Sequence, residues 1–119
     1  MNETELNAAL ANCYGTENYY KNPLYSWMNY TDGVKTFAEH AGGGAYWFLD
    51  TIGTELRELA LKEEFISITL LSNLGKGRIF ADDGNGKALY NKQIDYTDCP
   101  TGDYHFYLTD NVLMLTSEY

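Results

Sequence analysis

Between residues 45 and 71 the apolar residues change period, and that change restricts the chain to folds that lay a helix on a sheet. Ala45, Phe48, Leu49, Ile52, Leu56 and Leu59 recur at three- and four-residue spacing, the stripe of an amphipathic helix, while Asp50, Thr54, Arg57, Glu58 and Lys62 fall elsewhere. After Glu63-Glu64, Ile66, Ile68 and Leu70 alternate with Ser67, Thr69 and Leu71, the period of a strand with one buried face. A helix over 44–61 followed at once by a strand over 66–71 predicts an α+β fold, with the helix packed on an antiparallel sheet.

The remaining segments fit that scheme. Leu6, Ala9, Leu10 and Cys13 line one side of a short helix over 4–12, capped by Asn2 or Thr4 and stopped by Gly15. Residues 16–30 are crowded with aromatics and interrupted by Asn22-Pro23, so they read as an irregular connection leading into an extended run from Tyr25 to Tyr30. Thr31-Asp32-Gly33 caps a two-turn helix from Val34 to His40 that ends at Gly42-Gly43-Gly44. Strands are predicted over 77–81 and 88–94, joined through Asp82-Asp83-Gly84-Asn85-Gly86, whose Asn-Gly pair offers positive-φ residues, and over 104–108 and 112–115, joined through Thr109-Asp110-Asn111. The expectation is a single domain over 1–119, an antiparallel sheet of about five strands packed against two or three helices.

Length and composition agree with this. A chain of 119 residues buries roughly two-thirds of its unfolded surface without staples or metals. With 45% hydrophobic and 21% charged residues it is a packed globule rather than a disordered tail. No stretch approaches the roughly 20 apolar residues of a membrane span, and Met1-Asn2-Glu3-Thr4-Glu5 is acidic where a signal peptide is basic, so a cytoplasmic location is expected. Cys13 and Cys99 match no CxxC spacing and read as free thiols with a packing role.

The net charge is −9, and its placement is more informative than its size. Residues 1–20 and 93–119 contain no Lys or Arg, and their carboxylates, among them Glu3, Glu5, Asp95, Asp98, Asp103 and Glu118, account for −8 of the total. Such ends repel a phosphate backbone, which argues against direct nucleic-acid binding; a basic protein partner is the matching expectation. If the two ends meet, those carboxylates form one acidic face.

Each constellation with catalytic potential has a plainer structural reading. His40 at a helix end suits the helix dipole, and His105 sits in a tyrosine-rich strand. Cys13, His40, Cys99 and His105 supply four zinc-type ligands without the close spacing of zinc motifs. Asp82 to Gly86 lacks the closing carboxylate of a calcium loop, and Gly75-Lys76-Gly77-Arg78 and Gly84-Asn85-Gly86-Lys87 complete no phosphate motif. Asp95 and Asp98 read as solvated turn residues, and no serine lies in a nucleophile elbow. Tyr46, Trp47 and Asp50 stand apart: they flank the apolar stripe, where they either pack against the aromatic segment 19–30 or wall a pocket.

Five ordered motifs, Tyr30-Thr31-Asp32-Gly33, Gly44-Ala45-Tyr46-Trp47-Phe48-Leu49-Asp50, Asp83-Gly84-Asn85-Gly86, Tyr96-Thr97-Asp98-Cys99-Pro100 and Ser117-Glu118-Tyr119, span nearly the whole chain. Together they resemble a bacterial and phage-associated family catalogued as a domain of unknown function, with a GAYWLLD-type helix and an LPSEY-type close. Here Thr116 replaces the proline of the closing motif, and Cys99 stands where the family tends to have Phe. The resemblance implies family membership and an accessory or mobile-element origin, and it supplies no activity.

The function expected from these readings is a non-enzymatic protein-binding or regulatory module without a cofactor or metal. One alternative is a phage- or plasmid-encoded inhibitor that presents acidic side chains, as a nucleic-acid mimic, to a nucleic-acid-binding protein. The other is a small-ligand-binding domain or weak enzyme using the Tyr46–Asp50 region.

Overall fold

The computed structural model describes residues 1–119 and shows an α+β fold. Helix α1 (Glu3–Ala11) starts from a capping box: the Asn2 side chain accepts the Glu5 N–H at 2.9 Å, and the Glu5 carboxylate accepts the Asn2 N–H at 3.3 Å. Strands β1 (Tyr19–Lys21) and β2 (Asn29–Thr31) follow, joined through a 3-10 turn at Pro23–Tyr25. Thr31 then caps α2 (Asp32–His40), its hydroxyl accepting the Val34 N–H. Helices α3 (Tyr46–Glu55) and α4 (Arg57–Lys62) lead into β3 (Phe65–Asn73), β4 (Lys76–Asp82), β5 (Ala88–Ile94), β6 (Gly102–Thr109) and β7 (Val112–Leu115).

The seven strands form one sheet in the order β1-β2-β7-β6-β3-β4-β5. It is mixed rather than purely antiparallel, because β2 runs parallel to β7, with Tyr30 opposite Leu113. The expected five strands are all present, and the extra two come from the aromatic segment. Where one extended run from Tyr25 to Tyr30 was expected, there are two strands of three residues each, too short to show any period, with the Pro23 turn between them.

The core lies between the helices and one sheet face. Ile66, Ile68, Leu70, Ile79, Ala81, Tyr104, Phe106, Leu108, Leu113 and Leu115 from the sheet meet Leu6, Val34, Phe37, Ala38, Phe48, Leu49, Ile52 and Leu56 from the helices, all buried. At its centre the Phe106 ring lies 4.8 Å from Phe48 and 5.2 Å from Phe37, centroid to centroid. The opposite sheet face carries half-buried Phe65, Leu71, Phe80 and Tyr107, and the Tyr119 ring sits edge-on against Phe65 and Tyr107.

Two local expectations need correction. The helix expected over 44–61 is broken at Leu56, whose φ of −103° and ψ of 5° separate α3 from α4. The Trp27 indole donates to the Gly53 carbonyl at 2.8 Å, the acceptor that an unbroken helix would offer to the Arg57 N–H. In the β4–β5 loop the positive-φ residues are Gly84 and Gly86, not Asn85. The Asp83 carboxylate accepts the N–H groups of Asn85 and Lys87 and so supplies the loop's acceptor. The β6–β7 turn is built on a left-handed pair, Asp110 and Asn111, residue types that tolerate that conformation.

Candidate functional site

The Tyr46–Asp50 region is assembled by the aromatic segment packing across α3. The Tyr25 hydroxyl donates to Asp50 Oδ1 at 2.8 Å, and the Tyr25 ring lies so close to Gly53 that a Cβ there would clash with it. Burial, reinforced by the bond to Asp50, pushes the Tyr25 phenol well above its usual pKa, so it stays a donor at neutral pH. Trp47 is half-buried and meets Phe48 edge-on, while Tyr46 is exposed. Asp50 therefore holds the 3-10 turn in place. Beside it an open cleft of about 520 Å³ runs past Leu24, Ser26, Trp27, Thr54 and Arg57.

The remaining motifs are fastened to one another. Glu118 accepts hydrogen bonds from the Thr31 hydroxyl (2.6 Å), the Leu115 N–H (2.9 Å) and the Gly33 N–H (3.1 Å), placing a carboxylate against the N-terminus of α2, where the helix dipole favours negative charge. The Asp32 carboxylate accepts the Glu17 N–H and the Tyr20 hydroxyl, among others, and these bonds lower its pKa to about 2. Asp98 accepts the Gly43 N–H at 2.8 Å. The Cys99 carbonyl accepts from Ser72 and the Pro100 carbonyl from Tyr104.

These ties bring several of the acidic candidates to one end of the molecule. The β5–β6 connection, residues 95–101, is bound to the β3–β4 turn by the Thr97 N–H on the Gly75 carbonyl and the Leu74 N–H on Thr101 Oγ1. Asp98 ties it to residues 42–44, and the Met1 amino group donates to the His40 carbonyl nearby, which brings the start of α1 alongside. Burial raises the pKa of the Tyr104 phenol, and Cys99 and the Glu3 carboxylate add to the effect. Asp103 is the second residue of β6. Glu3, Asp95, Asp98 and Asp103 thus surround this end, and none of them is in an ion pair. Glu5 serves the cap of α1, and Glu118 is turned onto α2 instead.

Two apolar side chains project from the same end and were not singled out by the sequence. Leu74 is 88% exposed and Tyr96 80% exposed. Leu74 also holds φ at 50°, a left-handed conformation that a leucine adopts only under constraint. The available signal was Asn73-Leu74-Gly75, a large apolar residue at a turn position that ordinarily takes a polar one.

The thiols are poor nucleophiles. Burial pushes Cys99 up to about 11, and burial with the nearby Glu118 and Asp32 charges also raises Cys13, so both stay protonated near neutral pH. The two cysteines are not bonded to each other. No three His, Cys, Asp or Glu side chains gather closely enough to hold a metal ion, and no helix is long and apolar enough to cross a membrane.

Among known proteins, the model of a family of unknown function, DUF6876, matches residues 4–119. No curated protein and no solved structure matches the chain.

Proposed function

We propose that this chain, which belongs to the DUF6876 family, a family of unknown function, is a non-enzymatic protein-binding module that engages a basic partner in the cytoplasm. The observation that carries the proposal is the end of the sheet where exposed Leu74 and Tyr96 stand among the unpaired carboxylates of Glu3, Asp95, Asp98 and Asp103. Apolar anchors ringed by charge are the usual anatomy of a recognition surface, with the anchors supplying affinity and the charges speeding encounter. The protonated thiols and the structural use of Asp50, Asp98 and Glu118 fit a surface that binds rather than reacts.

A capture experiment tests this. Immobilised protein is expected to retain a basic partner at low ionic strength and to release it as salt rises past the range where exposed charges are screened. Glu3→Lys with Asp103→Lys should abolish capture, and Leu74→Ala with Tyr96→Ala should weaken it at every salt concentration. Equal capture by wild type and by both double variants would overturn the reading.

A further inference from the structure

The free edge of the sheet carries an independent inference. Strand β5 is the terminal strand, hydrogen-bonded to β4 on one side only, so alternate N–H and C=O groups along the other side lack a partner strand. Soluble proteins usually blunt such an edge by shortening it, inserting proline or pointing lysine outward. The opposite edge, β1, is only three residues long, whereas β5 runs for seven residues and contains no proline. Its lysine, Lys92, is drawn onto Glu55 at 2.6 Å, beside the Tyr90 hydroxyl, which donates to the same carboxylate at 2.7 Å. The irregularity in the β4–β5 ladder falls at Ala81/Asp82, near the hairpin tip, and leaves the register from Tyr90 to Ile94 regular.

We propose that β5 pairs antiparallel with β5 of a second copy, about a two-fold axis at Asn91, joining two seven-stranded sheets into one. Charge selects this register. With Asn91 opposite itself, Tyr90 lies opposite Lys92, Leu89 opposite Gln93, Ala88 opposite Ile94, and, one step further out, exposed Lys87 opposite exposed Asp95. The two-fold axis makes that ion pair twice and sets each Lys92 beside a tyrosine face, a favourable cross-strand partner. Centring the pair on Lys92 sets like charges against each other, and centring it on Tyr90 leaves Asp95 opposite uncharged Asn85. The acidic ends of the two copies then lie at opposite extremes of the joined sheet. The two surfaces share Asp95 alone; Glu3, Asp98, Asp103, Leu74 and Tyr96 remain free, and self-association measured without any partner tests the pairing apart from the proposed partner surface.

A single strand pair is a small interface, and association belongs in the micromolar range. Sedimentation equilibrium should show monomer at about 1 µM and mostly dimer at about 500 µM. Asn91→Pro leaves the sheet an edge strand but blocks strand addition, and it should remain monomeric while keeping the wild-type circular dichroism. Lys87→Asp should weaken dimerisation about tenfold, and adding Asp95→Lys should restore it. The charge swap, which leaves the backbone of β5 unchanged, is the decisive variant. A wild type that stays monomeric at about 500 µM overturns the proposal, as does a Lys87→Asp variant that dimerises like wild type.

Discussion

Two single residues show how heavily this fold relies on carboxylates as acceptors. Asp32 is held at about 2, below its ordinary value of 3.8, chiefly by the Glu17 N–H and the Tyr20 hydroxyl. A group depressed on folding contributes stability that is present above its unfolded pKa and lost as pH falls through the folded one. Asp32→Asn should therefore lower the melting temperature at pH 6, with the difference from wild type shrinking below about pH 4 and vanishing near pH 2, as thermal melts across that range will show. At Glu118 the expected loss on substitution by alanine is about 1–3 kcal/mol in urea titration, because the Gly33 and Leu115 N–H groups lose their acceptor. Gly53→Ala would press a methyl group into the Tyr25 ring and should cost about 1–3 kcal/mol, with a change in the near-ultraviolet signal of the aromatic segment.

Among the elements, α3 is the one whose core role was most plainly written in the sequence. Leu49→Ala or Leu56→Ala should each cost about 2–5 kcal/mol, since both side chains are fully buried; losses below about 0.5 kcal/mol at both sites would contradict the packing. Strands β5 and β7 match the residues expected from pattern and turn chemistry, because their signals are local. What escaped the sequence has distant causes. The break at Leu56 depends on an indole 26 residues away from Gly53, and Glu118 meets Gly33 across 85 residues. Of the candidate site, the acidic bias of the two ends was legible from composition, and their approach is seen in Ser117, whose hydroxyl donates to the Cys13 carbonyl at 2.6 Å. Leu74 and Tyr96 were missed because exposure is set by where two turns end up, and no period records that.

On the scale of the whole molecule, the position of β7 governs assembly. It lies between β2 and β6, so β1 and β2 join the sheet only through residues 112–115, while the helix that Thr31 caps also packs its Phe37 on Phe106 of β6. A ribosome releases those residues more than 80 positions after β2, and the strands at the start of the chain must wait with Tyr30, which lies opposite Leu113, exposed. Closing so long a loop slows folding, because its entropy is lost before any contact rewards it. Chains cut after Leu108 should keep β3 to β6 yet bind a hydrophobic dye strongly, and arrested nascent chains should become protease-resistant only once Leu115 has cleared the exit tunnel. Resistance gained before β7 emerges would mean that the N-terminal third finds its place without the strand that adjoins it. If β7 is required, the interval between making β2 and making β7 is when this protein is most open to chaperones and proteases, and its yield in a cell should follow elongation speed across residues 32–111.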